Sequence, residues 1–333
     1  MKEFSLIDTY FKSAKFKRKD VLIGIGDDCA ITQIPPGQAL ATTTDTLVSG
    51  VHFLADAPPR AIAQKAIAVN LSDLAAMGAE PAWISLSLTL PAIDEAWLEE
   101  FSRGIQESTE YYSIELIGGD TVQGPLAITI TAQGFVAPEQ ALTRSGAKPG
   151  DFVYVTGTLG DAGLGLDLLL NQRQLPDPEH NGFLLKRLYY PTPRVFAGTS
   201  LRRVANACID ISDGLLADLK HILHASQCGA TLQLDKLPLS QAMVQSVDIH
   251  DAYRYALSGG DDYELLFSVS EEHKNSVDRA LACCNVPVTC IGQLNGKSGK
   301  VDLLLHNQPY NFVDTGYEHF APSPPLSATK CAQ

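Results

Sequence analysis

The segment "PPRAIAQKAIAVNLSDLAAMG", Pro58 to Gly78, constrains this chain more than any other. Proline at the start and glycine at the end are the expected order of helix punctuation, so the spacing predicts a helix from Pro58-Pro59 towards Met77, ending near Gly78. Its middle is mostly Ala, Ile, Leu and Met, which marks it for burial. Yet it carries Asn70 and Asp73, three residues apart and therefore on one face. A buried carboxylate needs a partner, and the segment supplies Lys65 as the candidate cation.

Asp73 is one of a set. Aspartates stand beside glycine or small polar residues in "GDD" (26–28), "TTTD" (42–45), "LSD" (71–73), "GGD" (118–120), "DISDG" (210–214) and "GGDD" (259–262). Taken singly, each reads as a turn or a helix N-cap. Together they place several carboxylates where burial is expected and lysine is scarce. Thr42–Asp45 continues a strand, which puts Asp45 at that strand's C-terminal end, and Asp210 and Asp213 repeat the spacing of Asn70 and Asp73. Bound divalent cations would resolve the conflict. Oxygen-only ligands favour Mg²⁺ or Ca²⁺, and no EF-hand loop is present. Scattered carboxylates suit Mg²⁺ shared with substrate phosphates, which points to a nucleotide or another polyphosphate.

The usual phosphate loops are missing. "GQLNGKS" (292–298) has three residues between its glycines where a Walker A loop has four, and it leads into the strand-like "KVDLLL"; a hairpin turn is the better reading. "GIGDDC" lacks the third glycine of a dinucleotide fingerprint. A nucleotide would then be held through Mg²⁺ and glycine-turn amides. Arg144, in "TRSGAK", is the best-placed cation for a phosphate, and fits a surface arginine between domains equally well. His52 could donate to a phosphate or be structural. There is no G-x-S-x-G, and Cys29 follows two aspartates that disfavour a thiolate, so it reads as a packing residue.

The 333 residues suggest two domains, and 45% apolar content is enough for real cores. A net charge of −13 argues against nucleic acid as a partner. Seven cysteines with no C-x-x-C argue against a disulfide framework or zinc ribbon and favour a reducing, cytoplasmic compartment. Neither a membrane span nor a signal-peptide core is expected. "EFSLIDTYFKSA" places Phe4, Ile7, Tyr10, Phe11 and Ala14 at helical spacing. Strands are expected at Val21–Ile25, Ala39–Thr46, Trp83–Leu90, Glu115–Ile117 and Leu126–Val136, and a helix from "IDEAWLEEFSRGIQESTEYY" with Asp94 as its N-cap. A turn cluster at Gly146, Pro149 and Gly150 separates this half from a second. There, helices are expected around 162–171, 181–190, 194–206, 215–226 and 271–284, and strands near 152–156, 230–234, 264–269 and 301–305; "QRQLPDPEHNG" reads as a surface loop. "NLSDLAAMG" and "DISDGLLADL" echo each other weakly, as do the turns "GGD" and "GGDD", which suggests two related halves facing one site.

In order, "GIGDDCA", "TTTDTLVSGVHF", "NLSDLAAMGA", "LIGGDT", "LTRSGAKPGD", "DISDGL" and "LSGGDDYEL" resemble the thiamine-phosphate kinase family of the aminoimidazole ribonucleotide synthetase-like superfamily, from about Phe4 to Phe320. The resemblance implies a mixed α/β fold with two domains. Residues 1–145 would bind ATP and metal and dimerise, their strands forming a barrel across a homodimer; 146–333 would be an α/β domain completing the active site. It implies Mg²⁺- and ATP-dependent phosphorylation of thiamine monophosphate to thiamine diphosphate. Family metal ligands match Asp28, Thr43, Thr44, Asp45, Asp73, Asp120, Asp210 and Asp213. Of these, Asp45, Asp73, Asp120 and Asp210 would carry catalysis through metal and phosphate positioning. ATP contacts match Tyr112, Gly119, Asp120, Arg144 and Ser212, and substrate contacts match His52, Asp261 and Tyr317. The family commonly has Glu where this chain has Asp261. The competing readings are a sibling ATP-dependent synthetase and a non-catalytic metal-binding protein.

Overall fold

The computed structural model describes residues 7–12 and 18–313. The first half comprises β1 (Val21–Ile23), β2 (Ile31–Thr32), β3 (Ala39–Val48), α1 (Pro59–Ala76), β4 (Glu80–Leu90), α2 (Glu95–Tyr112), β5 (Glu115–Gln123) and β6 (Ala127–Val136). β1 and β2 form a small antiparallel ribbon, and the other four strands form an open sheet in the order β3-β6-β4-β5, with β4 and β5 parallel. Helix α1 starts on Pro58-Pro59 and stops at Gly78, whose φ of +64° is the left-handed turn glycine tolerates. Asp94 caps α2 by accepting from the Ala96 and Trp97 N–H groups at 3.0 and 3.1 Å. Both helices cover one face of the sheet. Ile67, Leu71 and Leu74 of α1 and Phe101 of α2 are buried with Ile84, Ile128 and Ile130 in one core, each such side chain contributing about 1.5–3 kcal/mol on leaving water.

The second half comprises β7 (Phe152–Thr156), α3 (Asp161–Leu169), α4 (Pro178–Tyr189), α5 (Val195–Leu201), β8 (Ala207–Ile211), α6 (Leu215–Ser226), β9 (Gly229–Gln233), α7 (Gln241–Ser246), α8 (Ile249–Ser258), β10 (Glu264–Val269), α9 (Val277–Leu281), β11 (Val288–Asn295), β12 (Val301–Leu305) and β13 (Gln308–Pro309). Its sheet runs β13-β12-β9-β11-β7-β10-β8, antiparallel except for β12 against β9. α1 lies between the two halves: it packs on β3 and β6 of its own sheet and on α5 and β8 of the other. That is why it is apolar nearly all round.

Several expectations are corrected. "GGD" (118–120) is not a turn but the middle of β5, where a Cβ on Gly119 would stand 1.9 Å from the Leu86 carbonyl oxygen; the glycine serves a close strand approach. β3 runs on to Val48, so Asp45 is internal to it. "GQLNGKS" does not join a hairpin, since β9 lies between β11 and β12. α4 begins inside "QRQLPDPEHNG", capped by Asp177, which accepts from the Glu179 N–H at 2.8 Å. The helix expected over 194–206 stops at Leu201, that over 271–284 shrinks to α9 and a short 3₁₀ turn, and β2, β8, α7, α8, β11 and β13 have no counterpart among the expected elements. The two Ser-Asp echoes differ locally: Ser72-Asp73 sits inside a helix, whereas Ser212-Asp213 lies in the loop between β8 and α6. Cys29 is exposed, not packed. Of the N-terminal helix, the described part is a π-helical turn, Ile7–Phe11; Phe4, Ala14 and Tyr317 lie outside the described residues.

Candidate active site

α1 and β3 bring the first carboxylates together. Strand alternation turns Thr43 and Asp45 towards α1 and Thr42, Thr44 and Thr46 away from it. The Thr43 hydroxyl donates to Asp73. The Asp45 N–H donates to Asn70 Oδ1 at 3.1 Å, and Asn70 anchors its own amide on the Ala66 carbonyl at 3.0 Å. The second sheet adds Asp210 from the end of β8: it is 4% exposed, and its Oδ2 accepts from Ser72 Oγ at 2.7 Å. A mid-helix Ser-Asp pair thus reaches in both directions.

The Asp73 charge acts against both of the other carboxylates. Burial, then the Asp73 charge, pushes Asp45 up from 3.8 to about 6. Burial, then Asp73 again, pushes Asp210 up to about 8. Asp73 is raised by burial, with the Thr43 hydroxyl and the Arg144 charge acting the other way. Arg144 itself is exposed, on the segment joining the two halves. A cluster of negative groups in low dielectric is a site built to receive positive charge.

A second group forms where "DISDG" meets "GGDDYEL". The Ser212 and Asp213 N–H groups donate to Asp218 Oδ2 at 3.0 and 3.1 Å, and burial pushes Asp218 up to about 7. Sequence reading passed over Asp218; its position in the first turn of α6, just after the Asp213-Gly214 turn, was the available signal. The Asp261 N–H donates to the Ser212 carbonyl at 2.9 Å, and the Tyr263 N–H to that of Ile211 at 2.8 Å, which stitches the loops together. The four residues after Gly260 serve different ends. Asp261 meets Lys65, and Asp262 caps α3 by accepting from the Gly160 N–H at 2.7 Å. Tyr263 bonds Asp261, and fully buried Glu264 holds Arg187 and Arg194 at 3.0 and 2.6 Å.

Other candidates lie apart from this cluster. The Thr44 hydroxyl pairs with Thr131 at 2.9 Å on the opposite face of β3. Asp28 is exposed; its N–H donates to Asp27 Oδ1 at 2.9 Å, so Asp27 shapes the turn that Gly26 opens with φ +124°. Gly119 and Asp120 are exposed along β5. His52 Nδ1 accepts from the Val48 N–H at 3.0 Å, so the neutral ring carries its proton on Nε2. Tyr112, whose phenol burial raises, lines a cavity of about 310 Å³ with Tyr111, Tyr190 and Lys186, and no carboxylate of the cluster enters that lining.

Mg²⁺ fits the donor set. Asp45, Asp73, Asp210 and Thr43 offer hard oxygen atoms alone. Among the described residues, no three His, Cys, Asp or Glu side chains stand together so as to hold a metal ion by themselves, so substrate phosphate oxygens would have to complete the coordination of any Mg²⁺ held here.

Two family models match the chain: the AIR synthase related protein N-terminal domain over residues 26–136 and its C-terminal domain over residues 148–303. The thiamine-monophosphate kinase of Escherichia coli K12 is 52% identical over 319 residues, 96% of this chain and 98% of that protein. The crystal structure of thiamine-monophosphate kinase from Stenotrophomonas maltophilia K279a aligns with TM-score 0.82 at 42% identity, over 88% of this chain and 93% of that one. A structure described as AaThiL complexed with AMPPCP and TMP aligns with TM-score 0.74 at 34% identity, over 89% and 92% of the two chains. The chain belongs to the thiamine-monophosphate kinase family, within the AIR synthase related proteins.

Proposed function

We propose that this protein transfers the γ-phosphate of ATP directly to thiamine monophosphate, giving thiamine diphosphate, with several Mg²⁺ ions bound. The observation that carries the reading is the interdomain cluster of Asp45, Asp73 and Asp210, in a chain 52% identical to a thiamine-monophosphate kinase. The relative complexed with AMPPCP and TMP holds the two kinds of ligand that this reaction needs.

Two phosphorylated molecules must approach against their own repulsion. Mg²⁺, when bound, supplies the charge that neutralises both and the geometry for an in-line attack. Asp45, Asp73 and Asp210 would hold it, with Asp28, Thr43, Thr44, Asp120 and Asp213 as further ligands by family match. Gly119, Asp120, Arg144, Ser212 and Tyr112 would hold ATP; His52, Asp261 and Tyr317 would hold thiamine monophosphate. Asn70 and Ser72 fix the orientation of their neighbours, so the donors are arranged before substrates arrive. The acceptor is a phosphate oxygen that is ionised near neutral pH, so no general base is required and no phosphoenzyme forms.

The two units would divide near residue 145, with ATP, metal and dimer contacts mostly in the first. A homodimer is supported by the open end of the sheet face opposite α1, beyond the part that β1 covers at Trp83, where the hydroxyls of Thr44 and Thr131, and of Thr46 and Thr129, pair at 2.9 and 2.8 Å. A cytoplasmic location is supported by the free cysteines, among them buried Cys208 and Cys228. Among the described residues no helix is long and apolar enough to cross a membrane. The test is to incubate the protein with Mg²⁺, ATP and thiamine monophosphate and separate the products. Stoichiometric thiamine diphosphate and ADP are expected; ADP without thiamine diphosphate overturns the reading.

A further inference from the structure

Lys65, the cation the sequence offers to the buried carboxylate of its own helix, pairs instead with Asp261, and it occupies a costly position. Its side chain is 6% exposed, and its Nζ donates to Asp261 Oδ2 at 2.8 Å. The pair joins α1 to the loop before β10, a separation of 196 residues along the chain. The other carboxylate oxygen, Oδ1, accepts from the Tyr263 hydroxyl at 3.0 Å. The Asp261 backbone is held as well: its N–H donates to the Ser212 carbonyl at 2.9 Å, and its φ is +68°. A non-glycine residue keeps that left-handed conformation when its surroundings over-determine it.

Two features separate this pair from an ordinary surface ion pair. The ammonium is buried, so removing its carboxylate would strand a charge in low dielectric. The carboxylate is only partly buried, at 31% side-chain exposure, so it is held at both oxygens yet still open to a ligand. A carboxylate oxygen accepts more than one hydrogen bond, so these contacts do not exhaust it. Lys65 also lies eight residues before Asp73 on the same helix, about 12 Å along a rigid axis.

We propose that Lys65 is a positioning residue for Asp261: from α1 it fixes the carboxylate in the orientation that meets the non-phosphate part of thiamine monophosphate. The same helix that presents Asp73 on the phosphate side thereby sets the distance to the substrate-recognition side. This rests on the functional reading above, in which Asp261 contacts the substrate.

The test is a kinetic cycle of wild type, Lys65→Met, Asp261→Asn and the double variant. Lys65→Met is expected to raise KM for thiamine monophosphate about tenfold or more, while KM for ATP stays within about twofold. The double variant is expected to be no worse than the worse single one, because Lys65 works through Asp261. A merely structural lysine would lower kcat through lost active protein and leave KM alone, and that result overturns the proposal. So do an equal rise in both KM values and single effects that multiply in the double variant. Should Lys65→Met give no folded protein, Lys65→Gln is read against the same criteria. A wild type that makes no thiamine diphosphate defeats the functional reading itself; an active wild type with an unaltered Lys65 variant defeats only this inference.

Discussion

At the scale of single residues, the cluster of Asp45, Asp73 and Asp210 trades stability for charge capture. Asp73 acts on both of the others: its charge is a cause of both their upward shifts. Asp73→Asn is therefore expected to abolish turnover, by about 10³-fold or more, and to leave the metal-free protein melting at or above the wild-type temperature, since a repelling charge is gone. Wild-type turnover in this variant, or a large fall in melting temperature, would contradict that. The same shifts set a pH dependence. Asp45 and Asp210 ionise at about 6 and about 8 in the folded protein, above their ordinary 3.8. A carboxyl that holds its proton more tightly when folded contributes stability below pH 3.8, and loses it as pH rises through the folded value. The metal-free protein should thus lose stability between about pH 4 and 8, and Mg²⁺ should restore it chiefly at the upper end. Thermal melts at pH 5 and 8.5, with chelator and with Mg²⁺, read this directly; a flat profile in chelator would refute it. The sequence showed which residues could be so placed, because a mid-helix Asp in an apolar run is visible in one dimension. It could not show that Ser72 reaches Asp210, since 138 residues separate them.

At the scale of elements, α1 governs the site, and its neighbours are cut to fit it. α5 crosses it so closely that a Cβ on Gly198 would stand 1.9 Å from the Ala75 carbonyl oxygen. Gly198→Ala should cost about 1–3 kcal/mol by overpacking, measured by denaturant unfolding, and lower kcat because Asp73 shifts with the helix. α4 and the start of α5 are tied to β10 through Glu264, which is fully buried with Arg187 and Arg194 against it. Glu264→Gln takes the carboxylate from Arg194 and leaves Arg187 with Asp161 Oδ2, 3.7 Å from its Nε, and a loss of about 3–5 kcal/mol is expected by the same measurement. The ends of α1 and the cap of α2 were legible because proline, glycine and Asp94 act on their immediate neighbours. β11 was not: "VTCIGQLN" has a broken alternation, and its register slips between Cys290 and Gly292. "GGD" misled for a related reason. Glycine marks both turns and tight strand approaches, and only the proximity of β4 tells them apart.

At the scale of the whole molecule, two sheets meet across one apolar helix, and among the described residues no helix covers the first sheet's other face around Thr44, Thr46, Thr129 and Thr131. A bulky charge there, as in Thr129→Arg, should leave the protomer folded but shift the mass measured by light scattering from dimer to monomer. Unchanged mass would reject this face as the dimer contact. By itself, the sequence determined that the chain folds into α/β units around a buried, carboxylate-bearing helix, and that its aspartates suit Mg²⁺ and phosphate. Those properties follow from residue type and local period, which the chain carries along its length. Only the tertiary structure decided which carboxylates face one another, that Thr44 turns away from Thr43's side, and that Lys65 meets Asp261. Such pairings depend on strand order and helix crossing. Those are set by the joint burial of many side chains, so no short stretch of sequence encodes them.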